Sequence, residues 1–441
     1  MATGFTQLII CLLAGITVIV LLTAKYHIHA FFALLIACFV VGLGVQMPFE
    51  DIINAVKDGF GNIMRSLGLI IVLGTTLGVL LEHTGSTKVM AAFILKMVGE
   101  KNASLALSLT GFIVGMPIFC DSGFIVLSGI NKSVAKRAGV SVVITSVALS
   151  TGLYAVHCLM PPHPGAASAA GIMNVDFGRL ILTGIIAALP AMIAGNIWAR
   201  FAGKRTGFIE AEEEIVTAAA VKLPSVIQAF LPVVIPIILI ALKSFFALEK
   251  NEANMAQIFS ILGEPVTALA TGILLAFNCG RAWTKAVVSK QLQEAAEKAG
   301  SILVIIGAGG SFGAVLVATK IGEHFSSVLP LGSLGILFPF LITFILKTAQ
   351  GSSTVAIITA ASIVQPLLPA LGLQTDTGRL LCVLSMGAGS MMISHANDAY
   401  FWVIAKFSSI DMKSMLKVYS IATALMGLIT LLTVYLLSFI I

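Results

Sequence analysis

The chain has 441 residues, 58% of them hydrophobic and 10% charged, with a formal net charge of +6. A water-soluble domain carries roughly a quarter charged residues, so a soluble globular fold is excluded. The basic residues are scattered over short loops, which excludes a nucleic-acid surface and leaves them as topology signals.

Apolar runs of near-membrane length recur from end to end: Phe5–Ala24, His29–Met47, Ser66–Glu82, Val226–Leu248, Phe259–Asn278 and Val418–Ile441. Each is long enough to cross a bilayer core of about 30 Å as a helix. The weak alternation of a transmembrane β-barrel is absent. The expected fold is an all-α polytopic membrane protein. No Lys or Arg precedes Phe5–Ala24, so that run reads as a retained span rather than a cleaved leader. Cys11, Cys38, Cys120, Cys158, Cys279 and Cys382 show no paired spacing and read as buried thiols.

An internal repeat is visible. Ser66–Gly78 (SLGLIIVLGTTLG) aligns with Ser301–Gly313 (SILVIIGAGGSFG), and each follows a charged amphipathic stretch, Glu50–Arg65 and Arg281–Lys298. TGLYAVH, ending at His157, aligns with GSMMISH, ending at His395, at a similar offset. Loop charges orient the halves. Lys88, Lys96 and Lys101 mark a cytoplasmic side, as do Lys132, Lys136 and Arg137, then Arg200, Lys204 and Arg205, then Arg281, Lys285, Lys290 and Lys298. Ala103–Ile130 therefore starts and ends inside, and reads as a re-entrant hairpin turning at Cys120–Gly123. Val328–Ile363 is its counterpart, turning near Lys347–Thr354. Each half then has about five spans and one hairpin, and an odd number of spans inverts the second half. The expected units are residues 1–200, a cytoplasmic linker over 201–225 that includes Glu210 and Glu212–Glu214, and an inverted repeat over 226–441. Inverted repeats with broken helices at the bilayer midplane are the architecture of secondary transporters.

Four segments are apolar-flanked and irregular, a combination tolerated at membrane depth only against protein or a water-filled cavity. In GMPIFCDSGF, Pro117 and two glycines loosen the helix around Asp121, a carboxylate that is costly there unless paired, hydrated or used as a helix cap. In HCLMPPHPGAASAAG, three prolines forbid a regular helix, and His157, like His395 further on, is either a proton-handling group or a packing histidine. A metal site from His157, Cys158 and His163 lacks a carboxylate or second cysteine nearby. In TAQGSSTVA, Gln350, Gly351, Ser352, Ser353 and Thr354 make an uncharged cradle for carboxylate and hydroxyl groups, with Lys347 pairing a substrate or snorkelling. In SHANDAYFW, His395, Asn397 and Asp398 are polar, while Tyr400 and Trp402 suit an interfacial aromatic belt. The Gly-rich GAGGSFG lacks the strand and spacing of a dinucleotide fingerprint and reads as close helix packing or a helix break.

The motifs CLMPPHPGA, TAQGSSTVAIITAA and SHANDAYFW, in that order, resemble the gluconate:proton symporter (GntP) family of bacterial permeases, within a wider superfamily of inverted-repeat carriers. The likeness covers essentially the whole chain. It implies proton-coupled uptake of sugar acids and similar hydroxy acids, an inner-membrane location, and a homodimer in which a transport domain moves against a scaffold. The chain departs from the family pattern in having Asp121 rather than glutamate, Ser122 rather than valine, and Lys347 rather than arginine. A shorter carboxylate and an added hydroxyl suit a smaller acid such as glycerate.

The resulting expectation is a carrier with no cofactor beyond the proton gradient. Its partners are a small carboxylate substrate and the lipid bilayer. Asp121, Ser122, His163, Gln350, Gly351, Ser352, Ser353, Thr354 and Asn397 would bind substrate. Asp121, His157, His395 or Asp398 would take the proton. Three rivals remain open: a sodium-coupled carboxylate carrier of the same fold, a membrane-embedded metal or acid–base enzyme, and a passive channel.

Overall fold

The computed structural model describes residues 5–99, 102–206, 223–248, 253–279, 283–320 and 331–441. The first half holds α1 (Phe5–Val20), α2 (Ala30–Gly44), α3 (Phe49–Thr84), α4 (Ser86–Val98), α5 (Ala103–Gly115), α6 (Cys120–Ala138), α7 (Val142–Leu159), α8 (Pro164–Met173) and α9 (Phe177–Gly203). The second half holds α10 (Val226–Leu248), α11 (Ala253–Leu262), α12 (Pro265–Phe277), α13 (Lys285–Ala318), α14 (Leu337–Gln350), α15 (Ser353–Val364), α16 (Asp376–Met391), α17 (Ala399–Phe407) and α18 (Met412–Leu437). No strand occurs among the described residues. Among the described residues, seven helical segments are long and apolar enough to cross a membrane. Most of the expected linker, from residue 207 to 222 and including its glutamates, lies outside the described residues.

One supersecondary order appears twice. A helix–turn–helix hairpin, α5–α6, is followed by a helix broken in the middle, α7–α8. The hairpin α14–α15 is likewise followed by the broken helix α16–α17. Counterpart elements start roughly 235 residues apart, the offset already visible in the sequence repeat. Local chemistry explains each interruption. Pro117 has no amide to donate, so α5 cannot run on, and the chain turns over 116–119 before α6 begins at Cys120. Prolines 161, 162 and 164 end α7 and start α8, with Pro164 in its first turn. At the second hairpin Gly351 adopts a left-handed φ of +82°, and Ser352 caps α15 by accepting the Val355 amide at 3.3 Å.

Two expectations are corrected here. The first turn falls at 116–119, four residues before Cys120–Gly123, because Pro117 rather than Gly123 interrupts the backbone hydrogen bonds. Phe259–Asn278 is two helices rather than one span: Gly263 and Glu264 separate α11 from α12, and Pro265 opens the new helix.

The broken helix α7–α8 is the centre of the molecule, with its apolar window wholly buried, whereas those of α1 and α10 are 28% buried and leave most of their apolar surface outward. α3 and α13 pack along one another. A Cβ on Gly59 would lie 2.4 Å from the Gly310 carbonyl oxygen, so only glycine permits this approach. The GAGGSFG run is thus continuous helix in close contact rather than a break. The Ser311 hydroxyl donates to the Val56 carbonyl at 2.8 Å, and Glu82 and Lys298 share a crevice further along the pair. Rising numbers on α3 meet falling numbers on α13, so these counterpart helices run antiparallel. All six cysteines are free and buried.

Candidate functional site

The two hairpin turns and the two helix breaks converge on one cavity of about 540 Å³, within the usual range for small-molecule sites. Its walls are Phe119–Ser122 at the start of α6, Tyr154 and His157 at the end of α7, Gln350–Val355 at the second hairpin, and Asn397–Tyr400 at the second break. Lys298, Ser301, Ile302 and Ile305 of α13 close the remaining side.

Asp121 lies in the first turn of α6, where the helix dipole favours a negative charge. It is not the helix cap. Phe119 occupies that position, and no side chain caps the helix there. The hydrogen-bond partner of the Asp121 carboxylate is the Cys120 thiol at 3.5 Å, a weak donor. The cap reading is therefore corrected: Asp121 faces the cavity beside Ser122 without a structural bond to account for it.

Across the cavity, the Thr354 hydroxyl stands 3.4 Å from His157 Nε2, which ties the second hairpin to the first broken helix. Tyr154 stacks on His157 with the rings 13° from parallel, and its hydroxyl donates to the Ser390 carbonyl at 3.0 Å. Both polar atoms of the Gln350 amide and Nδ1 of His157 are buried without a hydrogen-bond partner. Buried polar groups are nearly always bonded, so unpaired ones on a cavity wall mark where a polar ligand completes the set.

Other site candidates are committed to structure. His163 is 2% exposed and its Nε2 donates to the Gly115 carbonyl at 2.8 Å, so it holds the end of α5 rather than facing the cavity. Expected among the substrate contacts, it is placed off the cavity wall by the structure. His395 is off the cavity wall and bonds the Thr348 carbonyl at 3.2 Å. The Asn397 amide donates to the same carbonyl at 2.8 Å while bordering the cavity. Asp398 accepts from Ser394 Oγ at 2.5 Å, from the Tyr400 amide at 3.0 Å and from Lys347 Nζ at 2.6 Å. Lys347 neither snorkels nor reaches for substrate. It is fully buried, and its ammonium also donates to the Gly351 carbonyl. Asp398, although on the cavity wall, is thus engaged in a buried ion pair. Tyr400 is 3% exposed on the cavity wall, so its aromatic-belt reading fails, while Trp402 is 47% exposed.

Sequence reasoning missed the Lys347–Asp398 pair, because its members lie in different elements. It also missed the α13 wall. The step from Glu294–Lys298, an ion pair at 2.8 Å, into an apolar helix was the one available signal.

A polytopic helical protein with paired hairpins and broken helices around one polar cavity has the build of a membrane carrier. Solved structures share that fold. The Alcanivorax borkumensis YdaH transporter superposes with a TM-score of 0.61 over 86% of this chain and 87% of its own, at 15% identity. Neisseria gonorrhoeae MtrF, of a class of antimetabolite efflux pumps, gives 0.62 over 87% and 83%, at 13% identity. The family profile described as GntP family permease matches residues 7–440, and the chain belongs to that family. Relatives include an uncharacterized permease of Haemophilus influenzae, 34% identical over 95% of this chain and 89% of its own length. The gluconate permease of Pseudomonas aeruginosa is 33% identical over 95% of each chain. The D-serine transporter DsdX of Escherichia coli is 31% identical over 98% of each. These are permeases and transporters rather than enzymes, and they place the chain as a multi-pass inner-membrane protein.

Proposed function

We propose that this protein takes up a small hydroxy carboxylate, gluconate-like or glycerate-like, together with protons. The observation that carries the reading is the asymmetry of the cavity. One hairpin presents a carboxylate, Asp121, whose hydrogen-bond partner is a weak thiol donor, and the other presents the unpaired Gln350 amide beside the hydroxyls of Ser352, Ser353 and Thr354.

The chemistry follows from those groups. A substrate carboxylate sits at the start of α15, where helix amides and the hydroxyls of Ser353 and Thr354 offer hydrogen bonds. Substrate hydroxyls meet Gln350, Ser122 and Asn397. Two carboxylates in one water-poor cavity repel, so a proton on Asp121 favours substrate entry and its release favours substrate exit. His157, across from Thr354, is the second group able to exchange that proton. A gluconate permease and a D-serine transporter among the relatives support a small, hydroxylated acid as the cargo.

Alternating access is supported by the duplicated hairpin and broken helix and by the antiparallel counterparts α3 and α13, as an inverted repeat requires. The test is uptake of radiolabelled gluconate and glycerate into proteoliposomes. Accumulation driven by an imposed proton gradient, and not by a sodium gradient, is expected. Accumulation driven by sodium alone would replace the proton by that ion, and equilibration without accumulation would make the protein a channel.

A further inference from the structure

The Lys347 ammonium is the most deeply buried charge at the site, with 0% of its side chain exposed. Its contacts are the Asp398 carboxylate at 2.6 Å and the carbonyl oxygen of Gly351, the turning residue of the second hairpin. Asp398 is fixed in turn by Ser394 and the Tyr400 amide. The hairpin is pressed against the same segment: a Cβ on Gly351 would stand 2.1 Å from the Asn397 carbonyl oxygen. An all-oxygen set of one carboxylate and backbone carbonyl, joining a turn to a helix break, is the set that binds a hard metal cation. Here the positive charge is covalently attached.

We propose that Lys347 is a built-in cation that occupies a monovalent-ion site between the second hairpin and the second helix break, so that this half of the carrier closes without sodium. The first half has no such charge. There the imidazole of His163 makes the equivalent bond to Gly115, and Asp121 is left without a lysine or arginine partner. The inference deepens the carrier reading by assigning the ion requirement of one hairpin. It is read from the stability of purified protein, so it fails separately from that reading, which fails in uptake.

Truncation of the lysine exposes the site it fills. Lys347→Ala is expected to melt lower than wild type in choline chloride. It should recover on exchange to sodium, lithium or methylammonium at constant ionic strength, with a rise of about 3–5 °C at a hundredfold excess over the dissociation constant. Lys347→Ala combined with Asp398→Asn should show no recovery. Wild type should be indifferent to the exchange. Folded Lys347→Ala that responds to none of these cations would overturn the proposal. So would wild type stabilised by sodium in a manner lost in Asp398→Asn, a result that needs no lysine variant to fold.

Discussion

The first hairpin with its broken helix and the second hairpin with its own are built alike and charged differently. In the first, the hairpin carbonyl of Gly115 is held by the imidazole of His163, and the nearby acid, Asp121, has only a thiol as hydrogen-bond partner. In the second, the hairpin carbonyl of Gly351 is held by Lys347, and the nearby acid, Asp398, is consumed by that lysine, a serine and a helix amide. The same two breaks in the backbone occur in both halves. Both acids border the cavity, but Asp398 carries a structural bond set and Asp121 does not. A carboxylate that stabilises the fold is a poor carrier of protons, because protonation dismantles what it holds. One without such a role is free to change charge in each cycle.

Variants that separate the two acids sharpen this contrast. The largest effect on stability is expected from Lys347→Met. Removing one partner of a buried ion pair costs about 3–5 kcal/mol, so melting of the detergent-purified protein should fall steeply. Lys347→Met with Asp398→Asn should recover part of the loss. Equal melting of wild type and Lys347→Met would show that the pair does not join the hairpin to the break.

Next in size is His163→Ala, which leaves the Gly115 carbonyl unpaired in a dry site. A loss of about 1–3 kcal/mol is expected, with little change in the apparent affinity for substrate of the protein that remains folded. A raised KM at unchanged stability would return His163 to the substrate contacts. Gln350→Ala should do the reverse. Its amide bonds nothing in the protein, so stability should hold while the KM for uptake rises about tenfold, the worth of one ligand hydrogen bond. The smallest effect is expected at Asp411, which caps α18 through the Ser414 amide at 3.0 Å. Its carboxyl is held below the usual carboxylate range by hydrogen bonds from Ser414. Its contribution is therefore present at neutral pH and fades as pH falls through that lowered value. Asp411→Ala should cost about 1 kcal/mol at neutral pH, and less in acid.

The sequence made the architecture legible because its signals are local. Proline at 117 and at 161, 162 and 164, glycine at 351 and long apolar runs each act within a turn of helix. The repeat offset was legible for the same reason, since counterpart elements kept their order. Most of the cavity wall was also in view, as Asp121, His157 and Gln350–Thr354 all fall beside such breaks. What escaped was anything set by packing between distant elements. Whether His163 or His157 reaches the cavity depends on which face of the break meets Gly115, and spacing does not reveal that. The partner of Lys347 lies 51 residues away across a hairpin and a full helix. The wall formed by Lys298, Ser301 and Ile305 required the α3–α13 pair to lie against the hairpins, a tertiary fact.

The most direct measurement compares wild type with Asp121→Asn in proteoliposomes, following both counterflow of labelled substrate and accumulation under an imposed proton gradient. The expected result is wild type that does both, and a variant with intact melting and retained counterflow whose proton-driven accumulation is lost. Accumulation in Asp121→Asn at the wild-type level would contradict the division of roles between the two acids and would move the proton to His157.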